Sequence, residues 1–422
     1  MDNWSRRTVL SAIGLTGVGA ALAACGTSSG SAEGTLNVLF MQQAGYSEED
    51  ISAMVALFEK DNPKIKINKT FVAYEALRDK IVAAAPAGTF DVVLIDVIWP
   101  PEFAEKKLIA DITPRVPAEW KTQMLEGALS TAVYKDRFYG VPWILDAKYL
   151  YSNTEHLTRA GLAPTAPTTW SGVVEAARAI KAKGVVKYPL IWSWKQTEAV
   201  ICDYTQLLGA FGGTFLDAAG KPAFNTGGGV RALQFMKSTL DEGLSNPASM
   251  ESLEDDVAKA FPNGDASFAL NWTFMWAKTQ DEKESKVKGK VTIGQTPAGD
   301  GGKRPGCNGS MALAIPATSK KPDDAWKLIQ HLTSAATQEQ YAKSSLPVWK
   351  ASYTKDTVVA TSPETVAAAK AELDSLILRP GVNHYNAVSQ ILQGEISNAL
   401  LGRKPVQKAL DDAAAAAASE LK

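Results

Sequence analysis

Two aspartates and one arginine hold the positions in this chain from which chemistry could be done. Asp96 directly follows the apolar run Val92-Val93-Leu94-Ile95, Asp146 sits in the stretch YGVPWILDAKYLYSN from Tyr139 to Asn153, and Arg379 precedes Pro380. Around them stand Trp99, Trp143, Trp272 and Trp276, with Gln43 and Met311 as further candidates. A polyhydroxylated ring calls for such a set, because carboxylates accept paired hydroxyl hydrogens, an arginine donates to oxygens, and flat aromatic faces cover C–H surfaces. The same two aspartates could instead be the acid and base of a glycosidase. That chemistry needs a defined carboxylate separation and one raised pKa, and the sequence supplies neither. Each residue also has a bland use: aspartates after strands cap turns, arginines join structural ion pairs, and tryptophans fill cores.

The elements that must position these residues follow from periodicity. Leu36, Val38 and Phe40 alternate as one strand face, and Ser47 with Asp50 forms a helix start ahead of the stripe Ile51, Met54, Val55, Phe58. Ile65 and Ile67 mark a second strand, Tyr74, Leu77 and Ile81 a second helix, and Val92 to Ile95 a strand buried on both faces. This βαβαβ order predicts an open α/β lobe with its ligand crevice beyond the carboxyl ends of the strands, where Asp96 lies. Tyr139 to Asn153 reads as a hinge strand leading out of that lobe, which puts Asp146 where two lobes meet. Beyond it, Thr169 caps a helix, Tyr188 to Trp194 reads as a strand, Thr197 to Phe211 and Glu251 to Phe261 as helices, and Ser267 to Leu270 as a strand leading to Trp272. Met311 to Ile315 is expected to cross back, followed by helices at Asp323 to Leu332 and Gln338 to Lys343, and the C-terminal helices to complete the second lobe. Trp170 and Trp326 lie on helix stripes and are assigned to core.

With Asp91 to Pro100 (DVVLIDVIWP) before it and Leu378-Arg379-Pro380 after it, the central stretch resembles the sugar-binding lipoproteins of ABC importers. Among these family 1 extracellular solute-binding proteins the chain is most similar to the trehalose/maltose-type branch, over nearly all of its mature length. The resemblance implies a two-lobed α/β fold like the periplasmic binding proteins, of class II type, with open sheets flanked by helices and joined by a multi-strand hinge. Residues 35–147 plus 307–346 would form the N-terminal lobe and 148–306 plus 347–422 the C-terminal lobe. It further implies a carrier without enzymatic activity or cofactor, taking a di- or oligosaccharide such as trehalose or maltose from outside the cell to a membrane permease. By the same resemblance Asp96 and Asp146 match the family's two cleft aspartates, Arg379 its arginine before proline, and Trp272 its stacking ring. Two positions depart from the pattern: Met311 stands where the relatives carry tryptophan, and Ile144 where they carry tyrosine. The same fold binding a glycerophosphodiester or another non-sugar solute is the alternative, although no basic cluster accompanies Arg379.

The chain ends set the compartment. Arg6-Arg7, an apolar run of small residues and Leu22-Ala23-Ala24-Cys25 read as an export signal over 1–24 with a lipobox, so Cys25 would carry lipid and residues 25–34 would form a flexible tether. The apolar run is too short to span a bilayer. The expected product is a monomer anchored to the outer face of the bacterial membrane. Near-neutral charge, formally -1 over the 422 residues, gives no reason to expect nucleic acid as partner. Three scattered histidines, His156, His331 and His384, lack ligand spacing, so no metal site is expected. Cys202 and Cys307 are the only other cysteines; in an exported protein they can pair as a disulfide or remain separately buried thiols.

Overall fold

All five residues of the run Val92–Asp96 are buried, as a strand covered on both faces requires. The computed structural model describes residues 34–42, 45–299, 302–343, 345–372 and 375–421. The signal segment, Cys25 and Gln43 lie outside the described residues. Strands β1 (Thr35–Met41), β2 (Lys66–Val72) and β3 (Val92–Asp96) are followed by a small hairpin of β4 (Val133–Tyr134) and β5 (Arg137–Phe138), and then by β6 (Val141–Ile144). The second half contributes β7 (Tyr149–Asn153), β8 (Leu190–Ile191), β9 (Phe268–Asn271) and β10 (Val291–Gly294), and the chain returns with β11 (Met311–Ala314).

Two main sheets result. The first has the order β2-β1-β3-β11-β6 and the second β10-β7-β9-β8. In the first, β1 runs parallel to β2 and β3, while β11 is antiparallel to both β3 and β6. The helix Glu48–Asp61 starts where the sequence places it, with Ser47 accepting from the Asp50 N–H while the Asp50 carboxylate accepts from the Ser47 N–H. Its buried residues are the predicted stripe, Ile51, Met54, Val55 and Phe58.

The single hinge strand predicted over Tyr139 to Asn153 is two strands, one in each sheet, joined by the crossing segment Leu145 to Lys148. A second crossing, Cys307 to Ser310, lies beside it through the Ala147–Asn308 bridge, and a third joins through Cys307–Ile377. Three strands of backbone therefore pass side by side between the lobes, a hinge geometry. The strand expected over Tyr188 to Trp194 is only two residues long. Beyond Ile191 the backbone is claimed by another segment, with the Trp192 N–H donating to Ser249 Oγ and the Trp194 N–H to the Ser249 carbonyl. The helix expected at Gln338 to Lys343 runs over Ala335–Gln340, because Ser334 caps it by accepting from the Thr337 N–H. The chain after Leu346 also begins on the first lobe. Trp349 stands edge-on to Trp120 and donates to the Thr333 carbonyl at 2.8 Å, and only from the Pro363–Glu372 helix does the chain engage the second lobe, where Glu372 accepts from Thr296.

Trp143, offered by the sequence as a cleft residue, is instead the centre of the first lobe's core. It is 0% exposed, lies 5.6 Å from the Phe40 ring and 5.0 Å from the Tyr46 ring, and donates from Nε1 to the Leu332 carbonyl at 3.1 Å. Trp143→Ala should destabilise the protein by about 3–5 kcal/mol in equilibrium denaturation. A loss below about 1 kcal/mol would contradict this placement.

Candidate functional site

Between the two lobes lies a cleft with about 730 Å³ of empty space, part of it open solvent, in the interlobe position that small-molecule sites favour. Its first-lobe wall is made where three strands end side by side: Met311 is in register with Asp96 on one flank and with Ile144 on the other. Asp96 and Ile144 close the carboxyl ends of β3 and β6, beyond which ligands lie in open α/β sheets, and Met311 opens β11 between them. The second-lobe wall is made by Trp272 and Phe274, which follow β9, and by the first turns of two helices, Glu198–Ala210 and Glu254–Ala260.

Arg379 enters from the third crossing and joins the lobes. Its Nη2 donates to Asp96 Oδ1 at 3.1 Å and to the Asn308 carbonyl at 3.2 Å, and its Nη1 donates to Glu198 Oε1 at 2.8 Å. Burial alone would lower the guanidinium pKa, but Asp96 and Glu198 hold it well above the ordinary arginine value. Glu198 is itself fixed by the Tyr385 and Ser389 hydroxyls, each at 2.5 Å. The Nε–H of Arg379 is buried and meets no acceptor among the described residues.

Asp146 lies in the first crossing. Its Oδ1 accepts from the Thr273 N–H at 3.1 Å, the Thr273 hydroxyl at 2.8 Å and the Ala147 N–H at 2.9 Å, while no donor among the described residues reaches Oδ2. Burial pushes this carboxyl up to about 7 against those hydrogen bonds. The bonds to Thr273 tie the crossing to the turn that carries Trp272. The Trp272 ring is held by Lys148, whose ammonium lies 5.1 Å from the ring centroid, and its Nε1 donates to Glu254 Oε1 at 3.4 Å. Lys148 is fully buried with Asp203 at 2.6 Å and Glu254 at 3.2 Å. Gly309 leaves room for the ring, since a Cβ there would stand 2.4 Å from Trp272 Cζ3.

Of the residues the sequence puts forward, Asp96, Asp146, Arg379, Trp272 and Met311 come together in this cleft. Trp99 does not, being buried between Tyr74 and Phe103 at 5.9 and 5.6 Å, with Tyr74 rather than Trp99 reaching the cleft. Trp276 is buried in the short helix behind Trp272 and does not line the cleft. Cys202 and Cys307 meet, but as free buried thiols and not as the disulfide considered for them. Their mutual hydrogen bond pushes the Cys202 thiol up and the Cys307 thiol down. Sequence reasoning missed Glu75, Glu198, Glu254 and Asp255. All stand in first helical turns, where a carboxylate ordinarily reads as a partner for the helix dipole.

A family model described as bacterial extracellular solute-binding protein matches residues 44–339. A probable ABC transporter-binding protein of Deinococcus radiodurans is 28% identical over 327 residues, covering 75% of this chain and 76% of the relative. A mannitol-binding protein of Pseudomonas aeruginosa is 24% identical over 294 residues, covering 68% of this chain and 65% of that protein. Among solved structures, maltose-bound T. maritima MalE3 superposes with a TM-score of 0.84 at 28% identity, covering 90% of this chain and 98% of that one.

Folding moves the Asp146 pKa upward, so the protonated carboxyl contributes stability that is present at low pH and is lost as pH rises through about 7. Asp146→Asn, which can keep all three hydrogen bonds to Oδ1, should therefore stabilise the unliganded protein at pH 8 by on the order of 2–4 kcal/mol. The gain should shrink toward pH 5, and an equal gain at both pH values in thermal denaturation would contradict the assignment. Gly309→Ala should displace the Trp272 ring and cost about 1–3 kcal/mol by overpacking, with a shift in tryptophan fluorescence. Unchanged stability and emission would show that the ring does not depend on this glycine.

Proposed function

The chain belongs to the bacterial extracellular solute-binding proteins, and from that premise we propose that it captures a di- or oligosaccharide such as trehalose or maltose and delivers it to the permease of an ABC importer. The observation that carries this reading is the convergence of Asp96, Asp146, Arg379 and Trp272 on one interlobe cleft. The maltose and mannitol named for two of the similar proteins agree with that chemistry. Asp146 Oδ2, which no donor among the described residues reaches, can accept a hydroxyl, and the Trp272 ring offers a platform for a sugar's C–H face. With Met311 and Ile144 in place of rings, stacking in the cleft falls chiefly to Trp272.

Binding works through closure. A ligand contacting Asp96 from one lobe and Trp272 from the other favours the closed arrangement by the difference in its affinity for the two states, and the permease reads that state. The protein is exported by the signal over 1–24, held at the outer face of the membrane by lipid on Cys25, and acts as a monomer. Phosphodiester binding is disfavoured because Arg379, the one cation lining the cleft among the described residues, already holds two carboxylates.

Calorimetric titration with trehalose, maltose, longer maltooligosaccharides, glucose and glycerophosphocholine tests this reading. A disaccharide should bind and be recovered intact, and Asp146→Ala should weaken it by about 1–3 kcal/mol while the variant remains folded by circular dichroism. Unchanged affinity would reject the site, binding of the phosphodiester alone would overturn the ligand class, and release of monosaccharide would favour a glycosidase.

A further inference from the structure

The charges around the cleft do not balance. Among the described residues six carboxyl groups line it, from Glu75, Asp96, Asp146, Glu198, Glu254 and Asp255, against the single guanidinium of Arg379. Behind this wall Lys148 pairs with Glu254 at 3.2 Å, but it also pairs with the buried Asp203 at 2.6 Å, so that cluster keeps one negative charge in excess. Lys278 answers Asp255 at 3.5 Å. Arg379 answers Asp96 and Glu198 together, again one cation for two anions. Among the described residues Asp146 has no ion-pair partner, and Glu75, exposed at the first turn of the Tyr74–Ala84 helix, has neither hydrogen bond nor ion pair. Leaving aside Asp146, whose carboxyl burial pushes up to about 7, six carboxylates among the described residues face three cations.

Geometry makes this excess a property of the closed state. Glu75 belongs to the first lobe, and Glu254 and Asp255 to the second, so closure carries like charges toward one another across a space from which water is being removed. Neutral hydroxyls can donate to these groups but cannot cancel their repulsion. A cationic group on the ligand can. Two features give that ligand its remaining character. Asp146 Oδ2, which no donor among the described residues reaches, calls for a hydroxyl, and the Trp272 face calls for an apolar ring surface.

Resting on the sugar-carrier reading above, we propose that the cleft selects an amino sugar, with its ammonium near the Glu75, Glu254 and Asp255 carboxylates and a hydroxyl on Asp146. The positive charge relieves the interlobe repulsion, so charge drives closure as well as affinity.

The test is a matched series titrated into the purified full chain: trehalose and maltose, their C2- and C6-amino derivatives, and the N-acetyl forms of those amines. At least one amine should bind about tenfold or more tightly than both its parent and its N-acetyl form, because only it carries charge. That advantage should fall with added salt, and Glu75→Gln should narrow it. Parent sugars binding as well as or better than every amine would overturn this inference and leave the neutral-sugar carrier standing. Silence toward the whole series, parents included, would overturn both readings.

Discussion

The structure depends on keeping one guanidinium charged in a place where water does not reach it. Arg379 is nearly inaccessible, and removing such a group from water is tolerable only if carboxylates stand at hydrogen-bonding distance on more than one side. Asp96 meets it from the end of β3 in the first lobe and Glu198 from the first turn of a helix in the second. One ion cluster thus couples the two lobes, and breaking either pair would leave an uncompensated buried charge. The third contact, to the Asn308 carbonyl, pins the cluster to the second crossing segment. Hinge and cleft floor are therefore the same set of atoms.

A second buried cation performs a related task. Lys148 lies at the end of the first crossing, and its partners Asp203 and Glu254 belong to two helices of the second lobe. Burial opposes its charge, but the two carboxylates hold the ammonium well above its ordinary range. Its position over the Trp272 ring turns an ion pair into a support for an aromatic platform. The Asp146 carboxyl reaches the same turn through Thr273. Trp272 is thereby fixed from several directions, by Lys148, by Glu254, by its neighbour Thr273 and by the absence of a side chain at Gly309.

The four candidate tryptophans show how far residue type carries. Trp99, Trp143, Trp272 and Trp276 are chemically equivalent and all lie near strands or turns that the sequence makes legible. Trp143 closes the first core, Trp99 backs Tyr74, and Trp276 sits behind the cleft, so only Trp272 lines it. The difference lies in which face of an element points inward and in what packs against it. A large aromatic satisfies either role, so its type alone does not choose. The acidic residues show the converse. Glu198 and Glu254 look in sequence like ordinary first-turn carboxylates, and their place in the cleft comes from where the helices point.

The sequence by itself determined the local elements and their order: the buried β3 ending in Asp96, the capping box at Ser47, the passage from one lobe to another at Asp146, and the arginine before Pro380. These follow from periodicity, turn chemistry and a distinctive order of motifs, all of which are local along the chain. Only the tertiary structure decided that the predicted hinge strand is two strands in two sheets, that Trp349 still belongs to the first lobe's packing, and that Cys202 and Cys307 are neighbours as thiols. It alone decided the charge of the cleft. That charge is a sum over side chains from both lobes and three crossings, separated by up to hundreds of residues, and such a sum exists only once the chain has been folded into contact.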